Sequence, residues 1–90
     1  MATVKIPTPL RATTADLDTV QGSGDDLISV IENLESQFPG IRERLLDENN
    51  ELRRFVNIFI NGEDVRFLDG LNTSITASDE ISIVPAVAGG

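Results

Sequence analysis

The stretch RFVNIFINGEDVR, residues 54–66, decides the fold. Its first part, Arg54 to Ile60, is rich in β-branched and aromatic residues and predicts the strongest strand of the chain. Asn61-Gly62 predicts a two-residue hairpin turn, because both residue types tolerate the positive φ angles that such turns require. Glu63 to Arg66 is then the short return strand.

The two faces of the predicted strand differ in character. Successive side chains of a strand point to opposite faces. One face therefore carries the aliphatic residues Val56, Ile58 and Ile60, and the other carries Phe55, Asn57 and Phe59. Since the rest of the chain offers one substantial helix, only one face of the sheet can be covered. The aliphatic set is expected beneath that helix, and Phe59 is therefore expected to face solvent.

The helix is predicted from Leu27 to Phe38. Its apolar residues fall at the i, i+3, i+4, i+7 and i+11 spacing of one helical face: Leu27, Val30, Ile31, Leu34 and Phe38. Three residues are candidates for its N-cap: Ser23, Asp25 and Asp26. Pro39-Gly40 ends the helix, and one further short turn is expected to bury Ile41 and Leu45.

Two weaker strands are predicted before the helix. Thr3 to Ile6 alternates polar and apolar side chains, which is typical of a half-buried strand. A second strand is expected within Asp16 to Gln21, with Val20 as its core contact. After the hairpin, two apolar residues are expected to close the edge of the core: Leu71 and Ile75.

The last strand is predicted over Ile81 to Val84, with Ala86 as its outer limit. By alternation Val84 points away from the helix, on the same side as Phe59. An exposed Phe beside an exposed Val on a polar protein forms a candidate docking patch for a partner, and Pro85 continues it.

Composition narrows the possible functions. Ninety residues with 40% hydrophobic content suit one small domain, and the absence of a secretory signal favours the cytoplasm. Cysteine and histidine are both absent, which excludes disulfides, thiolate or imidazole metal sites and histidine-dependent catalysis. A formal net charge of -8 disfavours nucleic acid and anionic membranes as partners. It favours partner proteins that have basic docking surfaces.

The chain ends in Val87-Ala88-Gly89-Gly90, directly after the last predicted strand. Its last two residues have no side chains, so this tail fits a narrow channel and lets a partner's backbone approach closely. The reactive candidate is the free carboxylate of Gly90.

The order of these elements resembles the β-grasp fold of ubiquitin-like proteins. That fold is α+β, with a mixed sheet of four to five strands and one main helix packed on one face. The resemblance implies a β-grasp domain over residues 1–86 and a flexible tail over residues 87–90.

The similarity extends to motifs of the ThiS/MoaD sulfur-carrier family. They are the run from Phe55 to Gly62, Gly70-Leu71 with Thr73, Asp79-Glu80-Ile81, and the C-terminal segment from Pro85 to Gly90. Within that family the chain looks most similar to the actinobacterial carriers associated with cysteine synthesis, which share the Phe-Val-Asn run and the Pro-Ala-Val-Ala-Gly-Gly ending. It departs from many members at Ser78, where they have glycine, and at Pro85-Ala86, where they have two prolines.

The resemblance implies a protein co-substrate rather than an enzyme, with no cofactor bound. An E1-like enzyme would use ATP to adenylate Gly90, and a sulfur donor would convert it to a thiocarboxylate. An acceptor enzyme, resembling a cysteine synthase or a thiazole or thiosugar synthase, would take the sulfur, and molybdopterin synthesis is a further destination. Gly89, with Val87 and Ala88, would be the segment that these enzymes hold.

Two other functions stay open at this point. A ubiquitin-like modifier would use the same adenylated Gly90 but join it to lysines of target proteins. A plain β-grasp binding module would have its terminal glycines by chance.

Overall fold

A computed structural model describes residues 1–54 and 56–85, and these form one mixed sheet with a helix across one face. The strands are β1 (Ala2–Lys5), β2 (Thr19–Gly22), β3 (Val56–Ile60), β4 (Glu63–Asp64) and β5 (Glu80–Pro85). The sheet order is β2-β1-β5-β3-β4, with β1 and β5 parallel and the other pairs antiparallel. The predicted α+β architecture, a mixed sheet with a helix on one face, is confirmed.

Two helices follow β2: α1 (Leu27–Gln37) and α2 (Ile41–Leu45). Of the three candidate caps, Asp26 is the N-cap of α1, and its carboxylate accepts a hydrogen bond from the Ser29 amide at 3.0 Å. Ile41 and Leu45 are fully buried in the second helix, as predicted. No helix within the described ranges is long and apolar enough to cross a bilayer.

The core lies between α1 and the inner sheet face. Its strand residues are the predicted alternating set: Val4, Val20, Val56, Ile58, Ile60, Ile81 and Ile83. At Gly22 the helix comes so close that an added Cβ would lie 2.8 Å from Val30 Cγ1 and 3.3 Å from Leu34 Cδ2. Glycine at this position therefore lets α1 pack directly on the end of β2.

The predicted start of the strongest strand is wrong by two residues. The Val56 amide donates to the Arg53 carbonyl at 3.1 Å, which closes a turn where Arg54 was expected to be extended. The strand therefore begins at Val56, and Phe55 lies outside the described residues.

The return strand is also shorter than predicted. It ends at Asp64, whose carboxylate accepts a hydrogen bond from the Arg66 amide at 2.9 Å and starts a 3-10 helix over Val65–Phe67. Burial of Val65 fixes this bend, because its side chain is fully removed from solvent.

Asn61 joins the hairpin to the start of β5. Asn61 and Gly62 have φ angles of 51° and 89°, as the predicted turn requires. The Asn61 side chain donates to Asp79 at 2.9 Å and accepts from the Glu80 amide at 3.0 Å.

The outer strands differ from their predicted bounds by small amounts. β1 begins one residue early at Ala2, β2 runs on to Gly22, and β5 spans Glu80–Pro85. Ala86, the predicted outer limit of β5, lies outside the described residues.

Candidate functional site

The base of the tail is the end of a strand paired on both sides. β5 lies between β1 and β3, and Pro85, its last residue, is opposite Val56. The proposed reactive residue Gly90 and the proposed tail contacts lie outside the described residues: Val87, Ala88 and Gly89. The described site is therefore the surface from which these residues emerge.

On the face away from α1, Val84 is 42% exposed and lies opposite Asn57. Phe59 lies on the same face, two residues along β3, but it is half-buried rather than fully open to solvent as predicted. Its register partners on the two sides are Ser82 and Asp64, so neighbouring strands flank the ring. Phe59 and Val84 are thus diagonal neighbours across the β3–β5 pair.

The middle of this open face is polar. Lys5, the only lysine of the chain, forms an ion pair with Glu80 at 3.4 Å. Beside it the Gln21 side chain donates to Thr3 Oγ1 at 3.3 Å. Both interactions are exposed, so they contribute little stability and leave the face accessible.

Arg66 crosses from the 3-10 helix to the beginning of β3. One guanidinium nitrogen donates to Asn57 Oδ1 at 2.5 Å, and the other donates to the carbonyls of Arg53 and Val56 at 3.0 and 2.9 Å. Asn57 is opposite Val84. The Arg66 side chain therefore stabilises the part of β3 that pairs with the last residues of β5.

Phe67 is the most exposed large apolar side chain among the described residues, at 88%. With Leu68, at 40%, it follows directly on Arg66. The sequence interpretation missed both residues because it continued the return strand to residue 66. An Asp that accepts from the amide two residues ahead is a known turn signal, and Asp64 with Arg66 could have indicated the bend.

Three carboxyl groups have lowered pKa values, and each has a structural cause. Hydrogen bonds from the Thr76 amide and the Asn61 side chain lower the pKa of Asp79, and amides of Arg42 and Gly40 lower that of Glu35. Hydrogen bonding from Ser29 lowers the pKa of the cap Asp26. These carboxylates hold turns and helix ends in place rather than forming an acid-base pair.

Metal ligands are not grouped in this part of the chain. Residues 1–54 and 56–85 contain no cluster of three or more acidic side chains that could hold an ion. What the described surface offers is an exposed sheet face with Val84 and Phe59 beside the end of β5.

Comparison with known proteins gives a consistent assignment. Residues 4–90 match the ThiS family. The chain is 52% identical over 90 residues to the sulfur carrier protein CysO of Mycobacterium tuberculosis, covering 98% of this chain and 97% of that protein.

Solved structures agree with this match. A crystal structure of the Amycolatopsis orientalis BexX/CysO complex contains a chain that superposes with a TM-score of 0.94 at 42% identity, with both chains fully covered. The solution structure of small archaeal modifier protein 1 from Methanosarcina acetivorans gives a TM-score of 0.85 at 33% identity, covering 99% of this chain and 95% of that one.

Proposed function

The chain belongs to the ThiS family, and from that premise we propose that it is a sulfur carrier whose Gly90 carboxylate is activated and loaded with sulfur by a partner enzyme. Support comes from the 52% identity with a sulfur carrier protein along nearly the whole chain. The observation that carries the proposal is the position of β5. This central strand ends at Pro85, five residues before the terminal glycine, at the border of an exposed face.

Activation is needed because the Gly90 carboxylate is a poor electrophile. An α-carboxyl group has a pKa of about 3.3–3.7, so it is ionised at neutral pH. One carboxylate oxygen attacks the α-phosphorus of ATP, pyrophosphate leaves, and an acyl-adenylate forms. Hydrosulfide delivered by a sulfur donor then attacks the acyl carbon and displaces AMP, which leaves a thiocarboxylate and a proton.

The sulfur must come from outside the chain. The sequence has no cysteine to act as an internal donor and no histidine to act as a base. The adenylating and sulfur-donating machinery is therefore assigned to partner enzymes, and this chain supplies the carboxylate on a tail.

The folded body gives the tail its affinity. Residues 86–90 reach about 17 Å when extended, enough to enter a buried active site. Ordering each of them costs roughly 1–2 kcal/mol, with glycine at the upper end. We propose that contacts around Val84, Phe59 and Pro85 with the partner enzyme offset that cost.

Cysteine biosynthesis is the proposed destination of the sulfur, in line with the names of the CysO relatives. An acceptor enzyme resembling a cysteine synthase would take the thiocarboxylate as its sulfur nucleophile. The complex named in the Amycolatopsis orientalis structure shows that a CysO protein binds a second protein, BexX, which keeps other acceptors open for this chain.

A protein modifier is the second candidate, favoured by the likeness to small archaeal modifier protein 1. In that function a lysine of a target protein attacks the adenylated Gly90 and releases AMP. The two functions share the activation step and differ in the nucleophile that follows.

The experiment is mass analysis of the protein isolated from its own host. A carrier is expected to show the mass gain of one oxygen replaced by sulfur at Gly90. Lysine adducts ending in Gly-Gly on other proteins, without the thiocarboxylate, would favour the modifier. Removal of Gly89 and Gly90 should abolish adenylation without changing thermal stability, and activity that survives this deletion would contradict both candidates.

A further inference from the structure

The basic residues of this acidic protein are not spread evenly. Fifteen carboxylate side chains face seven basic ones in the whole sequence. Among the described residues, the ion pairs are Lys5 with Glu80 and Arg42 with Glu32. Five arginines have no described carboxylate within ion-pair distance: Arg11, Arg44, Arg53, Arg54 and Arg66.

Three of them lie beside Val56, at the end of the sheet where the tail leaves: Arg53, Arg54 and Arg66. Arg53 and Arg54 line a shallow cavity of about 360 Å³ together with Val56, which is the residue opposite Pro85. Arg53 also lines a neighbouring cavity of about 460 Å³ with Arg44. We call the two cavities together the arginine groove, lined by Leu10, Glu43, Arg44, Asp47, Arg53, Arg54 and Val56.

Arginines outnumber the acidic residues that line the groove: Arg44, Arg53 and Arg54 against Glu43 and Asp47. The Asp47 carboxylate is turned to its own loop, where it accepts from the amides of Asn49 and Glu51 at 2.8 and 3.1 Å. The carbonyl of Glu43 accepts from Arg53 Nε at 2.7 Å, which leaves the two terminal nitrogens of that guanidinium available to a partner. Within the described ranges Arg44 and Arg54 make no side-chain hydrogen bond.

The groove is near enough to the end of β5 to contact an enzyme that takes in the tail. With Gly90 in an active site, the enzyme surface lies within about 17 Å of Pro85, the reach of five extended residues. The groove begins at the residue opposite Pro85 and so lies close to where that enzyme surface must be. Guanidinium groups bind carboxylates through paired hydrogen bonds, so the complementary surface is acidic.

We propose that the arginine groove docks an acidic segment at the mouth of the channel through which the activating enzyme receives the tail. The inference rests on the proposed function and deepens it by assigning the sign of charge around the channel. It reverses the expectation from net charge, because three arginines and two acidic residues line the groove although acidic residues outnumber basic ones in the whole sequence. The remaining acidic surface then helps to orient the approach, since it is repelled while the groove is attracted.

The test compares charge changes at the groove and at the opposite end of the molecule. Arg54→Gln and Ala77→Glu each lower the net charge by one, and Ala77 lies in the cavity beside Met1, at the end of the sheet away from Pro85. Binding of each variant to the adenylating enzyme of the same genome is measured as a dissociation constant at low and high salt. Circular dichroism confirms that each variant is folded.

Arg54→Gln is expected to raise the dissociation constant about threefold and Arg54→Glu about tenfold, with smaller effects at high salt. Ala77→Glu is expected to change it by less than about 1.5-fold. Tighter or unchanged binding of Arg54→Glu would overturn the proposal, because a basic channel mouth would bind the added carboxylate more tightly than the arginine. An equal effect of Ala77→Glu would overturn it as well, since net charge alone would then explain the result.

A separate measurement distinguishes failure of the groove proposal from failure of the proposed function. ATP–pyrophosphate exchange with saturating wild-type protein reports adenylation of Gly90 directly. If exchange occurs and Arg54→Glu binds normally, the groove proposal alone is wrong. If exchange does not occur, the activation step is wrong, and the binding data still decide the charge at the interface.

Discussion

The guanidinium of Arg66 donates a hydrogen bond to the carbonyl oxygen of Val56 at 2.9 Å, at a point where β4 has already ended. β4 pairs with Phe59 and Ile60, so within residues 1–54 and 56–85 no strand lies beside the beginning of β3 on that side. The arginine side chain replaces the missing strand with hydrogen bonds of its own. Because Val56 is opposite Pro85, the same contact holds the base of the tail.

Arg66→Met is expected to destabilise the fold by about 1 kcal/mol, because two backbone carbonyls and the Asn57 side chain lose a donor but remain accessible to water. Urea denaturation measures the loss. Amide hydrogen exchange should also quicken at Asn57 and Val84. Arg44→Met is the matched control, since Arg44 makes no described side-chain hydrogen bond, and an equal loss in that variant would contradict the bracing role.

Val84→Asp is expected to raise the dissociation constant for the activating enzyme about tenfold with little change in thermal stability, because the side chain is 42% exposed on the proposed docking face. This variant is a cleaner test than Phe59→Asp, which would place a carboxylate directly across from Asp64. Val30→Asp serves as the contrast and should unfold the protein, since Val30 is buried under the sheet. Unchanged enzyme binding by Val84→Asp would remove the open face from the interface.

Phe67→Ser tests how far the interface extends beyond the sheet. With 88% of the ring exposed, its loss should alter the free energy of unfolding by less than about 0.5 kcal/mol. Enzyme binding is expected to weaken about fivefold, because exposed aromatic residues near an interface are frequent anchors. Wild-type affinity would mean that the contact stops at Arg66.

Gly22→Ala is expected to cost about 1–3 kcal/mol through overpacking, because the new methyl group would lie 2.8 Å from Val30 Cγ1. Val30→Ala should relieve this clash, so the double variant loses less stability than the two single variants together. Urea denaturation of all four proteins gives the coupling energy. Strict additivity would show that the helix moves away instead of clashing.

Acid should weaken the fold through carboxylates whose pKa values are lowered. The pKa of Asp79 is lowered mainly by the Thr76 amide, so its contribution is complete above the unfolded pKa of about 3.9 and is lost as pH falls through the lower folded value. Thermal melts between pH 2 and pH 6 measure this loss. Asp79→Asn should show a shallower decline, and an unchanged profile would contradict the assignment.

The sheet could be predicted where one physical pattern dominates. Val56, Ile58 and Ile60 alternate without interruption and are all buried, so their face was unambiguous. The ends of strands were less predictable, because the Asp64 carboxylate competes locally with strand pairing and the Arg53 carbonyl closes a turn before Val56. Such local hydrogen bonds depend on side-chain geometry that alternation does not encode.

The candidate site was predictable only in part. The side of the sheet that carries Val84 follows from the same alternation, but the half-burial of Phe59 depends on its neighbours in the sheet order. Pairing of distant segments also creates the arginine groove, because Leu10 and Arg53 meet only in the folded chain. The assignment of Gly90 as the reactive end stays a prediction until the mass of the loaded protein is measured.

The central place of β5 has a mechanical consequence. An enzyme that bound Gly90 as proposed would exert any pull along a strand that is hydrogen-bonded to β1 on one side and to β3 on the other. Force along that axis loads both rows of hydrogen bonds in shear, so many must break together before the strand can slip. The domain is therefore expected to stay folded while a partner binds and releases the chain beyond Pro85.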